Sequence, residues 1–126
     1  MCSKKLNCAV VGDVITPTKW ANKSLRAHLM AGYNCYPVAP HGEAVEGLPI
    51  IASVLQVPVH LHRVSVYVRP SLLLGLLDDI AQKGCDELFL NPGTYNDEVL
   101  ERAESLGLNV LRGCSIVDVG VSPSSL

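Results

Sequence analysis

The chain has 126 residues, which suits one domain with one core. Hydrophobic residues make up 48% and charged residues 17%, so a packed globular fold is expected rather than disorder. A net charge of −2 offers no bulk attraction to nucleic acid or to an anionic membrane, and no apolar run approaches a membrane span.

The opening MCSKKLN lacks the apolar stretch and cleavage site of a secretory leader, which gives the expectation of a cytoplasmic protein. Five cysteines (Cys2, Cys8, Cys35, Cys85 and Cys114) contain no C-x-x-C and are read as reduced thiols. No repeat or linker divides the chain. Residues 1–121 are read as one domain and 122–126 as a frayed tail.

Leu6–Val11 is a short apolar run ended by Gly12 and predicts a first strand. The pattern over Lys19–Ala31 predicts a helix with Ala21, Leu25, Leu29 and Met30 on one face and Gly32 as its stop. Asn34–Val38 predicts a second strand closed by Ala39-Pro40. His41–Gly47 reads as a surface loop, Leu48–Ile51 as a short extended piece and Ala52–Gln56 as one helical turn.

Arg63–Val68 predicts a third strand ended by Arg69-Pro70. Ser71–Lys83, capped by Ser71 and stopped by Gly84, predicts a helix whose apolar face is Leu72, Leu73, Leu76, Leu77 and Ile80. Glu87–Leu90 follows as a fourth strand, Asn96–Leu106 as a helix and Leu108–Leu111 as a fifth strand. Ser115–Val119 reads as an extra short C-terminal strand.

Strands apolar on both faces, alternating with helices, imply an α/β fold with a mostly parallel five-stranded sheet covered on both sides. Right-handed crossovers give, most simply, a doubly wound order 3-2-1-4-5 with its switch point between strands one and four. Ligands of such sheets bind outside the carboxyl ends of the strands. The loops expected to converge there are Gly12–Thr18, Ala39–Gly42, Arg69-Pro70 and Asn91–Gly93.

The first of these is not a dinucleotide fingerprint. Val14 and Pro17 stand where G-x-G-x-x-G needs glycines, and strand two ends without an acidic residue for a ribose. No G-x-x-x-x-G-K-[ST] occurs either. What remains is a strand, a glycine break and a helix start. That is a phosphate site made of backbone N–H groups, with Thr16, Thr18, Lys19, Asn22 and Lys23 nearby. The alternative is a solvated helix end carrying ordinary lysines.

Several places in order resemble the small stand-alone CoA-binding proteins, whose domain also forms the N-terminal part of the succinyl-CoA synthetase α subunit. They are Ala9-Val10-Val11-Gly12 with Pro17, Gly32-Tyr33 through Pro37-Val38-Ala39-Pro40, and Gly42 with Gly47-Leu48-Pro49-Ile50. Val68-Arg69-Pro70, Asn91-Pro92-Gly93 and Arg112-Gly113-Cys114 continue the match over nearly the whole chain.

The resemblance implies a Rossmann-like site for coenzyme A or an acyl-CoA. Gly12, Asp13, Val14, Thr16, Pro17, Thr18, Lys19 and Asn22, with Lys23 alongside, would hold pyrophosphate and pantetheine. Pro40, His41, Val68, Arg69 and Pro70 would border the adenosine, and Gly93 would let the backbone approach the thiol end. Asp13-Val14 depart from the family, which usually has a small or hydroxyl residue and then serine. A carboxylate there repels a pyrophosphate unless it turns away or caps the helix. Ala39 stands where the family often has asparagine.

No nucleophile–base pair is evident, so no catalytic residue is expected. Cys114 is either a redox-active thiol or a buried small hydrophobe. His60 and His62 share a strand face but lack a third metal ligand in the sequence, so no metal is expected. His28 reads as structural. The function implied is a non-catalytic CoA-binding module, sensor or carrier. The alternatives are a CoA-binding component of an NDP-forming acyl-CoA synthetase, working beside a partner protein, and a site for NAD(P) or another nucleotide, or a degenerate one. The exposed helices also leave room for a homodimer.

Overall fold

The computed structural model describes residues 5–126, so Cys2 lies outside the described residues. Strands β1 (Asn7–Gly12), β2 (Asn34–Val38), β5 (Leu61–Tyr67), β6 (Cys85–Leu90) and β7 (Val110–Arg112) form one sheet in the order β2-β1-β5-β6-β7, with every pairing parallel. Helices α1 (Trp20–Met30) and α4 (Ser115–Asp118) lie toward one face. Helices α2 (Pro70–Lys83) and α3 (Asp97–Ser105) cover the other.

The α/β class and the five parallel strands agree with the sequence reading, but the strand order does not. The third long strand is not at the edge beyond β2; it lies between β1 and β6. The switch point is therefore between β1 and β5. Two features of the chain enforce this. Pro37 sits in the middle of β2, and a residue without an N–H is confined to an edge strand. Its carbonyl faces outward, where it accepts the Ile51 N–H at 2.9 Å. Conversely, Arg63–Val66 of β5 are all buried, as a central strand requires.

Alternation along β1 divides the core. Cys8 and Val10 face α1, where they join Val14, Ala21, Leu25 and Cys35. Ala9 and Val11 face α2 and join Val64, Val66, Leu73, Leu77, Ile80 and Leu88. The link from β2 to β5 passes through a small antiparallel hairpin of β3 (Ala44–Val45) and β4 (Leu48–Pro49). Its turn residues Glu46 and Gly47 both have positive φ, at 52° and 75°, as a tight two-residue hairpin demands. A 3-10 turn, Val54–Gln56, then places Val54 and, just beyond it, Val57 in the α2-side core.

Two local expectations change. Helix α2 starts at Pro70, not Ser71. Its N-cap is Arg69, with no side-chain cap, because Pro70 supplies a preset φ and has no N–H to satisfy. The segment read as an extra C-terminal strand is helix α4. The Ser115 N–H there donates to Asn91 Oδ1 at 2.9 Å, which holds the chain in a turn rather than extending it beside β7. Residues Pro123–Ser125 form a single 3-10 turn.

Candidate functional site

The loop from Gly12 to Lys19 is tied down at both ends. Asp13 accepts the Thr16 N–H at 3.2 Å on one carboxylate oxygen and the Thr16 hydroxyl at 3.0 Å on the other. The Thr16 N–H, the main influence, holds the Asp13 carboxyl below the ordinary carboxylate range. Its charge is thus turned into its own loop, one of the two ways the sequence left for an acid at this position.

Asn22 is buried. Its amide donates to the Val14 carbonyl at 2.7 Å and its oxygen accepts Arg26 Nε at 2.8 Å, while Arg26 Nη2 reaches the Pro17 carbonyl at 2.9 Å. Asn22 and Arg26 therefore anchor the loop to α1. The Val14 side chain is also buried, in the α1-side core.

Gly12 has φ +145°, and a Cβ there would meet the Tyr67 carbonyl oxygen at 2.9 Å and the Ala21 Cβ at 3.2 Å. The glycine is thus required by the approach of β1 to β5 and α1, whatever ligand lies outside.

Helix α1 begins at Trp20 with Lys19 as its N-cap, no capping side chain and no acidic residue in the first turn. An uncapped helix start leaves N–H groups free for an anion. Thr16, Pro17, Thr18 and Lys19 are exposed beside it, and Lys23 Nζ lies 4.9 Å from the centre of the Trp20 ring.

On the α2 side of the same loop lies a cavity of about 680 Å³. Gly12, Asp13, Val14, Pro40, His41 and Val68 line it, so the structure brings six of the sequence-predicted residues to one place. Thr16, Pro17, Thr18, Lys19, Asn22 and Lys23 are outside its lining. So are Arg69 and Pro70 at the start of α2, and Gly93 in the exposed turn after β6.

The walls that sequence reasoning missed are Ala52, Ser53 and Val54 before β5, and Leu72, Leu76, Asp79 and Ile80 along α2. Residues 72, 76, 79 and 80 share one helical face, and Leu72 is 51% exposed there. Asp79 is the charged residue on that wall. The volume falls within the range of small-molecule sites, and the lining is mostly apolar with a few polar groups, as such sites are.

Behind the crevice, on the α1 side, is a buried polar network. Asn91 at the end of β6 donates to Ser65 Oγ at 3.0 Å and to the Val66 carbonyl at 2.8 Å, and its oxygen accepts both the N–H and the hydroxyl of Ser115. Ser115 Oγ also lies 2.8 Å from Ser65 Oγ and 3.0 Å from the Tyr67 hydroxyl. Burial pushes the Tyr67 phenol up. Burial likewise pushes the thiols of Cys35 and Cys85 up, to about 12 and about 11, and raises that of Cys8, which disfavours the thiolate in all three. Cys114 is half-buried and free.

A parallel sheet with helices on both faces, a cavity outside its carboxyl ends and an uncapped helix start define a nucleotide-type ligand-binding domain. The match with known proteins makes this specific: residues 7–120 match the CoA-binding domain family, and the chain belongs to that family. A search of curated proteins found no match.

Among solved structures, the chain is similar to a conserved hypothetical protein from Pyrococcus furiosus. The identity is 25%, the TM-score 0.82, and the match covers 91% of this chain and 99% of that one. It is also similar to a hypothetical protein from Pyrococcus horikoshii OT3, with 29% identity, a TM-score of 0.81 and coverage of 89% and 79%. A third is the dinucleotide-forming acetyl-coenzyme A synthetase 1 of Ca. Korarchaeum cryptofilum, in complex with phosphate and ADP. There the identity is 28% and the TM-score 0.72, over 83% of this chain but 25% of the synthetase. Among the described residues, no helix is long and apolar enough to cross a membrane.

The residues fit coenzyme A. Apolar walls suit an adenine ring, the free N–H groups at α1 suit a pyrophosphate, and both Asp13 carboxylate oxygens are engaged by Thr16.

Proposed function

We propose that the protein binds coenzyme A or an acyl-CoA as a non-catalytic module, a sensor or carrier. One observation carries the reading: in a chain of the CoA-binding family, an apolar cavity of about 680 Å³ adjoins the uncapped start of α1 across a shared loop. In this reading the adenosine rests against Pro40, His41 and Val68, with Arg69 and Pro70 at its border. The pyrophosphate meets the backbone from Gly12 to Lys19, and Lys19 and Lys23 supply the positive charge beside it. Gly93, exposed and with φ +86°, receives the thiol end. One charge-assisted hydrogen bond to phosphate contributes roughly 1.5–3 kcal/mol.

A second reading is a CoA-binding component of a multi-protein NDP-forming acyl-CoA synthetase. It is favoured by the similarity to the Korarchaeum synthetase, of which this chain spans 25%. A partner protein would then provide the rest.

The test is a calorimetric titration under reducing conditions with CoA, acetyl-CoA, dephospho-CoA, NAD, NADP and ATP. Saturable binding of CoA or its thioester without a response to NAD is expected. A response to NAD or ATP alone, or silence toward all six, overturns the reading and leaves the family resemblance as one of fold.

A further inference from the structure

Two imidazoles, His60 and His62, stand at strand spacing with no third ligand near them in the chain. The fold supplies one. Strands β5 and β6 pair in parallel with Leu61 opposite Cys85 and Arg63 opposite Glu87, so His62 stands beside Asp86. His60 Nε2 lies 3.0 Å from Asp86 Oδ1, and the His60 and His62 rings meet edge to face with centroids 5.2 Å apart. One ligand atom from each of the three residues lies within 4.8 Å of the others.

We propose that His60, His62 and Asp86 form a site for a divalent transition-metal ion of the zinc type at the amino-terminal edge of the sheet. This is the end opposite the crevice. Two imidazole nitrogens and one carboxylate are the donors that zinc, cobalt(II) and nickel(II) prefer. Magnesium and calcium select all-oxygen sites. Three protein ligands leave a fourth position for water.

The supports are firm where they need to be. His62 and Asp86 project from neighbouring strands of the central sheet, and the Asn7 side-chain amide holds the His60 carbonyl at 2.8 Å. The His60 and Asp86 side chains are 60% and 55% exposed, so they are free to rotate inward. They must do so, because donors around a tetrahedral ion at ~2.0–2.1 Å sit roughly 3.4 Å apart.

His62 gives the site a built-in reporter. Its Nδ1 accepts the Asn7 backbone N–H at 2.9 Å, so the neutral, metal-free ring carries its proton on Nε2. A metal takes the unprotonated nitrogen. It either displaces the Asn7 N–H from Nδ1 or takes Nε2 after the proton moves to Nδ1. In both cases the Asn7 amide loses its acceptor.

The experiment titrates the protein, free of any affinity tag, with zinc and cobalt(II) salts. Calorimetry and cobalt absorbance are read, and the Asn7 amide is followed by NMR. Expected are saturation at one ion per chain, tetrahedral cobalt bands without the thiolate charge-transfer band that cysteine ligation adds, and a shifted Asn7 amide. His60→Gln and Asp86→Asn alter exposed side chains and should each weaken binding about tenfold or more, since even outer-shell partners of a metal are worth ~10–100-fold. Both variants should retain the CoA response of the parent protein, whatever that response is. No saturable binding, binding that persists in the two variants, or a thiolate band overturns the proposal.

Discussion

The two faces of the sheet are held by different physics. Toward α2 and α3 the core is apolar throughout, with Val64, Val66, Leu73, Leu77, Leu88, Leu90 and Val99 all fully buried. Toward α1 and α4 a smaller apolar cluster shares the space with buried Ser24, His28, Arg63, Ser65, Asn91 and Ser115. Arg63 there bonds Glu87 at 3.0 Å and Asp118 at 2.6 Å, and its guanidinium lies 4.8 Å from the Phe89 ring centre. Hydrophobic burial is non-directional, so the α2 face supplies bulk stability. Buried hydrogen bonds are directional, and a half-satisfied network is worse than none. The α1 face therefore fixes positions: it sets α4, the turn after β6 and the end of β5 against one another, next to the crevice.

This contrast is broken most severely by Leu77→Ala. It removes a fully buried side chain from the apolar face and should cost about 2–5 kcal/mol in denaturant unfolding, with CoA affinity unchanged in the folded fraction. Asn91→Leu keeps the volume but strips Ser65, Val66 and Ser115 of their partner. The expected loss is ~1–3 kcal/mol, with weaker CoA binding as well. Equal effects of the two variants on affinity would erase the distinction.

A smaller effect separates the two roles of Asp13. Asp13→Asn keeps an acceptor for the Thr16 N–H and removes the charge, so CoA should bind more tightly. Asp13→Ala loses the acceptor too, so the gain should vanish or reverse. Both changes should stay within about tenfold, as exposed charges contribute ~1 kcal/mol or less. Tighter binding in the alanine variant would show that the loop does not depend on Asp13.

Most of the elements were legible because they repeat locally. Leu72 to Ile80 declare α2, and Leu6–Val11 and Asn34–Val38 declare their strands within a residue or so. Strand order was legible in one residue, Pro37, whose missing N–H excludes a middle strand; the simplest doubly wound order overrode it. Ile116 and Val117 read as strand because local alternation is ambiguous over so few residues, and the bond from Ser115 to Asn91 decides for helix from 24 residues away. The cavity was half legible. Its loops are punctuated by Gly and Pro, but its far wall is a helix face indistinguishable in sequence from a core face. The Asn91 network and the pairing of His60 with Asp86 were not legible, since strand neighbours that are 26 residues apart leave no local pattern.

The finest test of the directional face is its response to pH. His28 Nδ1 donates to the Ser24 carbonyl at 2.8 Å, and Nε2 faces Arg63 Nη1 at 3.4 Å. The ring is therefore held neutral. Burial, with the Arg63 charge acting in the same direction, pushes its pKa down, against the opposing pull of the Ser24 carbonyl and Asp118. Between that lowered value and the ordinary one near 6.5, the unfolded chain binds more protons than the folded one. Stability is then fully present above the ordinary value and falls as the pH drops through the window, by at most ~1.4 kcal/mol per pH unit for one group. His28→Gln, which retains a donor for Ser24 and does not titrate, should flatten that part of the curve. Thermal melts of both proteins across pH 5 to 8 measure the difference. An unchanged slope in the variant would assign the acid sensitivity to other groups and leave His28 as a packing residue alone.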